Sequence, residues 1–387
     1  MMAIGSQRQH ANDARRRAAA KRFGAVLAVI AAVVAACGPE VARGDEAGGG
    51  SPAGSLATLR IACFNAENLA APGEETRLTR FRFEPARRRH LEKVAAVIET
   101  LVPDILVMPE VVSAAGVDAV VRILHEKGLA DYRGYHVDGR DKFSGFDVAV
   151  VSRIRPDTID GESIHLYVPS RSQGRDDEQW LQQSMTVPAP DGDEAETAGG
   201  REGRRGGTVV LQRHAAAFFT VHGRKIGVLG VHLKSNPSSV QSNAQRSAET
   251  KIVREIVRRK ILAAGYLPIV LGDINDYDPD VPMADSFRKT QTTVLRDLKD
   301  LDPASEGDEL VNAARFIPRV ADRYTSHWDF NENGAPDGDD VFTMIDHVLV
   351  HRDLAPAIAR VFICHATGLE ISDHFPVVVD FDLAKLP

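Results

Sequence analysis

Short apolar runs alternate along the chain with longer segments in which apolar residues recur every three or four positions. Apolar runs of four to eight residues are typical of buried strands, and a period near 3.6 residues is typical of helices. The predicted helices span residues 85–101, about 114–128 and about 240–264. The predicted strands span residues 59–64, 105–108, 146–152, 208–211, 217–221, 226–232, 268–271, 342–350, 361–364 and 377–381. This alternation predicts a mixed α/β fold.

Many of the apolar runs end at, or contain, a residue that can bind a metal ion or transfer a proton. These residues are Asn65, Glu110, His232, Asp273, Asn275, Asp346, His347, Asp373 and His374. One such residue is more often a turn residue or a structural histidine. Six positions of this kind in a consistent order indicate a site where strand ends meet at one edge of a sheet.

The composition excludes several classes of protein. The 387 residues are 43% hydrophobic and 26% charged, which excludes wholesale disorder and collagen-like repeats. Residues 1–36 hold six Lys or Arg and one acidic residue. That leaves 41 basic and 53 acidic residues, and a net charge of -12, from Cys37 onward. A protein that coats nucleic acid would be basic, so a phosphate-handling site here needs metal ions or a local basic patch.

The first 36 residues have the pattern of an export signal. Basic residues precede the charge-free apolar run FGAVLAVIAAVVAA, which is too short to span a membrane. The run ends in Ala-Ala-Cys-Gly, which resembles a bacterial lipoprotein box with Cys37 as the lipidated residue. An ordinary cleaved signal is the alternative. We therefore predict a cell-envelope lipoprotein, or a secreted or periplasmic protein, with residues 37–57 as a flexible linker.

The three cysteines do not form a disulfide scaffold. Cys63 and Cys364 could pair in an oxidising compartment, although two separate buried thiols are the favoured interpretation.

A second cation motif stands apart from the strand ends. Residues 329–340 place oxygen-bearing side chains at positions 1, 3, 5, 9 and 12, with glycine at position 6, as in an EF-hand loop. These side chains are Asp329, Asn331, Asn333, Asp337 and Asp340. Position 12 is Asp instead of Glu, and no helix clearly precedes the loop. We predict a Ca²⁺ loop that braces the segment carrying Asp346; the alternative is an acidic solvated loop.

Seven segments together resemble the endonuclease/exonuclease/phosphatase superfamily, the fold of DNase I, exonuclease III and neutral sphingomyelinases. They are CFNAENL (63–69), PDILVMPEV (103–111), SGFDVAVVSR (144–153), GVHLKS (230–235), VLGDIND (270–276), MIDHVLV (344–350) and SDHFPVVV (372–379). The resemblance implies an α/β fold, a two-layer sandwich of mixed sheets flanked by helices, over residues 58–385. Residues 188–207 are polar and low in complexity, and we interpret them as a surface insertion.

The resemblance also implies the chemistry, namely hydrolysis of phosphate esters with one or two divalent ions, Mg²⁺ or Mn²⁺. The residues implied on the metal side are Glu110 as the principal carboxylate, Asn65 and Asp373. In the reaction, Asp273 is implied to orient or deprotonate the attacking water, and Asn275 to hold the phosphate oxygens. His374 is implied to act as acid, base or transition-state stabiliser. Asp346 is implied to pair with that histidine or to bind a second ion.

His232 matches the second histidine of the DNase I-like and sphingomyelinase-like branches, where it would contact the phosphate or protonate the leaving oxygen. A carboxylate normally fixes the tautomer of such a histidine, and Asp147 is the candidate. The alternative for Asp147 is a strand-end carboxylate bound to backbone. Lys234 faces a phosphate or solvent. Arg246 and Glu249 form a surface ion pair or position the GVHLKS loop.

The leading hypothesis is an exported metal-dependent phosphoric ester hydrolase, most of all a nuclease on DNA or RNA. One alternative is a phosphodiesterase or phosphatase acting on phospholipid or sphingomyelin. No long aromatic hairpin for membrane insertion is evident, and Phe218 and Phe219 fit a strand core. The other alternative is a non-catalytic calcium-binding interaction module on the surface. We expect a monomer with no protein partner, which meets a membrane only through a lipid anchor.

Overall fold

The structure is a computed structural model that describes residues 57–74, 84–169, 176–187, 204–284, 292–302, 304 and 309–387. The predicted export signal, Cys37, the linker up to residue 56 and residues 188–203 of the predicted insertion lie outside the described residues. Residues 204–207 of that insertion belong to a strand. Among the described residues, no helix has both the length and the apolar character needed to cross a membrane.

Strands and helices alternate as the apolar pattern predicts. The strands are β1 Thr58–Cys63, β2 Ile105–Val111, β3 Arg133–His136, β4 Asp147–Ser152, β5 Gln182–Val187, β6 Arg204–Val210, β7 His214–Val221, β8 Arg224–His232, β9 Leu267–Asp273, β10 Leu310–Asn312, β11 Ser326–Trp328, β12 Val341–Thr343, β13 Asp346–His351, β14 Ile358–Ile363 and β15 Val377–Asp382. The helices are α1 Glu84–Leu101, α2 Ala114–Glu126, α3 Val240–Ile256 and α4 Val294–Lys299.

Two mixed sheets organise the described residues. The first has the order β14-β15-β1-β2-β4-β3, and the second has the order β10-β13-β9-β8-β7. The pairs β1–β2 and β8–β9 are parallel, and the other pairs within these two sheets are antiparallel. The hairpins β5–β6 and β11–β12 form separate two-stranded sheets.

The sheets pack face to face, and helices cover their outer faces. Alternate residues of β1 show this division, because successive side chains of a strand point to opposite faces. Ile61 and Cys63 join the core between the sheets, whereas Ala62 packs with the helices α1 and α2. On the second sheet, Val228 of β8 faces the inter-sheet core and Leu229 packs beneath α3. The sandwich predicted from the family resemblance is therefore the observed architecture.

One predicted strand is wrong in a way that bears on the site. Residues 342–350 form two strands in different sheets, β12 and β13, and not one. Thr325 causes the break, because its hydroxyl accepts hydrogen bonds from the backbone N–H groups of Ile345 and Asp346 at 3.0 and 2.9 Å. These donors are thereby withdrawn from strand pairing at the point where the chain passes from the β11–β12 hairpin into the second sheet.

The long predicted helix and the cysteines also have defined outcomes. The helix predicted over about 240–264 is α-helical to Ile256 and continues as a π-helical turn, Val257–Ile261, and a 3₁₀ turn, Leu262–Ala264. Cys63 is buried and Cys364 half-buried, and no disulfide joins them in the described chain. The favoured interpretation of two buried thiols holds for Cys63, whereas Cys364 is a half-buried thiol.

Candidate active site

Three site residues stand side by side across the second sheet. His232 at the end of β8 is in register with Asp273 at the end of β9, and Asp273 is in register with Asp346 at the start of β13. Gly272 permits this closeness, because a Cβ there would lie 1.8 Å from the carbonyl oxygen of Val231. The strand ends therefore bring two carboxylates and an imidazole into one row.

The first sheet supplies the facing side chains. Asn65 follows β1, and the segment before β15 carries His374. Glu110 occupies a β-bulge, because the register of β2 against β4 shifts between Pro109 and Val111. Its φ of 60° lies in the left-handed region that non-glycine residues seldom adopt. A bulge re-aims the side chain of the extra residue, and here it turns Glu110 towards Asn65 and Asp273.

Asn65 links the carboxylates of the two sheets. Its amide nitrogen donates to Glu110 Oε1 at 3.2 Å and to Asp273 Oδ2 at 3.3 Å. Its amide oxygen accepts from the backbone N–H of Glu67 at 3.0 Å. In this arrangement Asn65 holds the carboxylates in place. Its predicted role as a metal ligand stays a prediction.

His374 forms a histidine–carboxylate pair with Asp346. Its Nδ1 lies 2.7 Å from Asp346 Oδ2, and its Nε2 lies 3.9 Å from Asp273 Oδ2 and from Asp373 Oδ1. Burial opposes the charged ring, but the carboxylates of Asp346, Asp373 and Asp273 outweigh it and raise the pKa of His374 well above its ordinary value. The predicted pairing of Asp346 with His374 is observed. Asp373 is 42% exposed at the rim of the site.

His232 points at the same carboxylates. Its Nε2 lies 3.5 Å from Asp273 Oδ2, 4.0 Å from Glu110 Oε1 and 3.4 Å from Arg213 Nη1. Burial, followed by the charge of Arg213, holds the pKa of His232 well below its ordinary value. The ring is therefore neutral, and its Nε2 faces a cationic donor and two carboxylates.

The predicted partner of His232 is wrong. Asp147 binds His136, whose Nε2 lies 2.9 Å from Asp147 Oδ2, and its other oxygen accepts from the backbone N–H of Gly139 at 2.7 Å. Asp147 stands on β4 beside the edge strand β3, so the nearest histidine is the one on β3. The Nδ1 of His232 is buried and has no hydrogen-bond partner in the described part of the chain.

The buried carboxylates create a strong demand for positive charge. Burial and then the charge of Asp373 raise the pKa of Glu110, and burial and then the charge of Asp346 raise the pKa of Asp273 to about 8. Asp346 Oδ1 is also buried without a hydrogen-bond partner among the described residues. A divalent cation would relieve this repulsion, and carboxylate oxygens are the ligands that Mg²⁺ and Mn²⁺ prefer.

At this site, two sets of side chains could hold such a cation, each with its ligand atoms within 4.8 Å of one another. They are Glu110, His232 and Asp273, and Asp273, Asp346 and His374. Asp273 belongs to both sets and lies between them. Five of the residues predicted from the sequence are thus brought together, and their donor atoms fit one or two divalent metal ions.

Asn275 fixes the backbone beyond β9. Its N–H donates to Asp273 Oδ1 at 3.0 Å, and its side-chain amide donates to the carbonyl of Leu233 at 3.3 Å. Its φ of 58° is again left-handed. These contacts tie the ends of β8 and β9 together, while the predicted contact of Asn275 with a phosphate stays a prediction.

The GVHLKS loop is held by two buried residues of α3. Glu249 Oε2 accepts from the backbone N–H of Lys234 at 2.8 Å, and Arg246 Nη1 donates to the carbonyl of Lys234 at 2.8 Å. Arg246 is fully buried and Glu249 is 3% exposed. The surface ion pair is therefore excluded, and the interpretation that these residues position the loop is confirmed.

Arg213 is a site residue that the sequence analysis missed. It approaches His232 and also donates to the carbonyl of Leu233 at 3.0 Å, and its Nη1 lies 3.8 Å from Asp141 Oδ2. In the sequence it is a lone cation between two short apolar runs, where a solvated side chain is the ordinary interpretation. Only the pairing of β7 with β8 places it against the end of β8.

The predicted calcium loop is an exposed connection between β11 and β12. Asp329 binds within the loop, since it accepts from the N–H groups of Asn333 and Gly334 at 3.1 and 2.6 Å. Asp340 binds His327 on β11 at 2.7 Å. The hairpin is joined to the site, since the N–H of His327 donates to the carbonyl of Asp373 at 2.8 Å. Calcium binding stays a prediction.

No family model matches the chain, and no curated protein matches it. Among solved structures, the chain is similar to an AP endonuclease from Archaeoglobus fulgidus, with a TM-score of 0.51, 17% identity and coverage of 84% of this chain and 99% of the other. It is also similar to the 3′ phosphatase NExo from Neisseria bound to a product DNA hairpin, with a TM-score of 0.49, 19% identity and coverage of 84% and 99%. TDP2 from C. elegans has a TM-score of 0.46, 15% identity and coverage of 84% and 75%. The likeness to the first of these confirms the predicted fold of two mixed sheets flanked by helices.

Proposed function

We propose that this chain, which has the DNase I-like fold of the endonuclease/exonuclease/phosphatase superfamily, is a metal-dependent phosphodiesterase that acts on nucleic acid. The observation that carries the proposal is the convergence of Glu110, Asp273 and Asp346 with two histidines at one end of the sandwich. Buried acids gathered close together are costly to a fold, and sites of this kind are where perturbed pKa values and metal ligands occur.

A bound Mg²⁺ or Mn²⁺ would polarise the phosphoryl group and offset its negative charge. Glu110 and Asp273 would hold the ion, with Asp346 and the imidazoles close by. Asn65 keeps the two carboxylates of the opposite sheets at a fixed separation through its bifurcated amide donor.

The remaining chemistry needs a base and an acid. Asp273 would orient or deprotonate the attacking water, because its carboxylate belongs to both sets of ligand atoms and lies between them. His374 is protonated at neutral pH because Asp346 binds its Nδ1, and its Nε2 faces the site. That N–H can donate to a phosphate oxygen or to the leaving oxygen as charge develops on it.

Nucleic acid is the proposed substrate because cationic side chains lie next to the carboxylate cluster in spite of the acidic chain. Arg213 contacts His232 directly. Lys234 lies two residues after His232, on a loop that α3 holds in place. A local basic patch of this kind is what a net charge of -12 in the mature chain requires for a polyanionic substrate.

A second candidate substrate is the head group of a phospholipid or sphingolipid. The observation that favours it corrects an expectation from the sequence, where no aromatic hairpin was evident. Trp328 and Phe330 are 66% and 69% exposed on the β11–β12 hairpin, which is bonded to the site through His327. Exposed aromatic side chains of this kind can enter the interface of a bilayer.

The proposal is tested by incubating the purified protein with supercoiled plasmid, RNA and sphingomyelin vesicles, each with Mg²⁺ or with EDTA. We expect cleavage of nucleic acid in Mg²⁺, and its loss in EDTA and in His374→Ala. Hydrolysis of the lipid without nicking of the plasmid would favour the second candidate. Turnover of none of the three would leave the non-catalytic interaction module as the better account.

Export and lipidation at Cys37 remain part of the proposal, because those residues lie outside the described part of the chain. Fractionation of cells that express the full chain tests both. We expect the protein in the membrane fraction, and release of Cys37→Ala into the soluble exported fraction. Recovery of the wild-type chain in the cytosol would contradict the proposed export.

A further inference from the structure

A cavity of about 460 Å³ opens beside the carboxylate cluster. It shares Glu110 and His232 with the site and extends away from them along the loop that follows β8 and the loop that precedes β4. Its volume lies within the range of about 300–1,000 Å³ that is typical of small-ligand sites. The cavity is thus an extension of the site, and its lining decides what can lie next to the reacting phosphate.

The cavity lining includes two cationic side chains, Arg213 and Lys234. Of its two additional carboxylates, Asp141 accepts from the N–H of Phe143 at 2.8 Å and from Ser144, and Glu249 accepts from the N–H of Lys234. Both carboxylates are therefore engaged by the protein. Lys234 also lines the cavity, and its ammonium group has no hydrogen bond or ion pair with any described residue.

The position of Lys234 is set before any ligand arrives. Its backbone N–H and carbonyl are both bound by buried side chains of α3, at 2.8 Å each. Arg213 is fixed in a similar way by the carbonyl of Leu233 and by His232. The guanidinium of Arg213 is therefore held before an anion binds and loses little conformational entropy on binding it, and the fixed backbone of Lys234 brings a second cationic side chain to the same cavity.

An aromatic ring lies at the same cavity. Phe143 is among the lining residues and is 82% exposed. Its loop is shaped by local contacts, because Asp141 caps it and Gly139 fits against Asp147 where a Cβ would lie 2.4 Å from the carboxylate oxygen. An exposed aromatic face next to fixed cations is the chemistry by which proteins bind single-stranded nucleic acid, with bases stacked on the ring and the backbone on the cations.

We propose that this cavity binds the nucleotide next to the scissile phosphate, with the neighbouring phosphate on Lys234 and Arg213 and the unpaired base against Phe143. The inference rests on the proposed function and narrows its substrate class to polynucleotides with an unpaired base beside the cleavage point. A small phosphodiester that lacks a second phosphate and a base reaches the metal site without using this subsite.

The test compares two substrates in the full chain. One is a single-stranded oligonucleotide, and the other is bis(p-nitrophenyl) phosphate, which has no neighbouring phosphate or base. We expect Lys234→Met to lower kcat/KM on the oligonucleotide about tenfold, mainly through KM, and to weaken its salt dependence by about one phosphate contact. We expect Phe143→Ala to have an effect of similar size on the oligonucleotide. In both variants the loss on the small diester should be far smaller than the loss on the oligonucleotide.

The control is Lys251→Met, which removes the same charge from an exposed position on α3 outside the cavity lining. It should leave both substrates unaffected. Equal losses on the two substrates in Lys234→Met would place that lysine at the scissile phosphate and overturn the subsite. An unchanged oligonucleotide rate in both cavity variants would also overturn it.

Binding separates this inference from the proposed function. The fluorescence anisotropy of a labelled oligonucleotide, measured in EDTA, reports the subsite without catalysis. We expect Lys234→Met and Phe143→Ala each to raise Kd about tenfold, and Lys251→Met to leave it unchanged. Failure of the wild type to cleave either substrate would refute the proposed function alone. The proposed subsite would be refuted if the wild type did not bind the oligonucleotide, or if sphingomyelin vesicles displaced the oligonucleotide.

Discussion

Replacement of Arg246 by Leu tests how the loop behind the site is held. The guanidinium is fully buried, and it donates to Asp276 Oδ2 at 3.1 Å, to the carbonyl of Lys234 at 2.8 Å and to the side chain of Asn243. Arg246→Leu removes the cation and leaves the Asp276 carboxylate, 1% exposed, in the interior. Loss of one partner of a buried ion pair typically costs about 3–5 kcal/mol, so we expect the free energy of unfolding to fall by that amount.

The matched control is Arg258→Leu, the same chemical change beyond the end of α3. The side chain of Arg258 is 41% exposed and pairs with Glu255 and Asp302 at 3.0 and 2.8 Å. Exposed pairs contribute at most about 1 kcal/mol, because water screens them and ordering the side chains costs entropy. The two variants therefore separate the buried network from a general loss of arginine.

Urea unfolding with linear extrapolation measures both effects. The double variant Arg246→Leu/Asp276→Leu should be more stable than Arg246→Leu, because it no longer buries a carboxylate that has lost its ion pair with Arg246. If Arg246→Leu does not fold, Asp276→Asn should show the same network with a smaller loss. A cost for Arg246→Leu no larger than that for Arg258→Leu would refute this account of the loop.

Three further predictions concern the carboxylate that binds His374, the buried His214 and the acidic loop 329–340. Asp346→Asn should lower kcat by about 10- to 100-fold with little change in stability, because His374 loses the carboxylate that orients and charges it; a wild-type rate would contradict that role. Burial lowers the pKa of His214 to about 3, so the folded state resists a proton that the unfolded state takes up below about pH 6.5, and stability falls as the pH drops through that range. The loss at pH 5 is about 2 kcal/mol, and His214→Gln should abolish it in urea titrations at pH 7.5 and pH 5; an unchanged pH slope would count against it. Asp329→Ala should lower the Tm only when Ca²⁺ is present, and equal melting with and without Ca²⁺ in the wild type would remove the calcium prediction.

Most of the fold was predictable because the spacing of apolar residues in most runs distinguishes a strand from a helix. Residues 59–64 and 226–232 became β1 and β8 with boundaries shifted by at most two residues, since their buried faces leave little choice of structure. The hairpin strands were harder. Residues 182–187 alternate between half-buried and exposed positions, and residues 326–328 are too short to show a period.

The candidate site was predictable where it depends on strand ends and not where it depends on side-chain direction. The row His232, Asp273 and Asp346 follows from strand pairing, because each residue ends or begins a strand. The direction of the Glu110 side chain depends on a β-bulge, and no residue type in the segment 103–111 predicts that bulge. The partner of Asp147 depends on β3, a short half-exposed strand that the apolar pattern did not predict.

Arg213 is a further residue whose role at the site depends on strand pairing and not on its local sequence. Its sequence context, a single cation between two apolar runs, is that of an ordinary turn residue. Its role follows from two distances, to His232 and to the carbonyl of Leu233, that exist only once β7 and β8 pair. Long-range pairing therefore sets the local electrostatics of the site.

The most direct test of the central claim is the rate of hydrolysis of bis(p-nitrophenyl) phosphate by the wild type and by Glu110→Gln, each in Mg²⁺ and in EDTA. The substitution keeps the size of the side chain but removes the charge that a metal ion would bind. The arrangement of side chains described above predicts turnover by the wild type in Mg²⁺, none in EDTA, and a rate at least about 100-fold lower for Glu110→Gln. Equal rates in EDTA and Mg²⁺, or an unimpaired Glu110→Gln, would contradict a metal-dependent phosphodiesterase at this site.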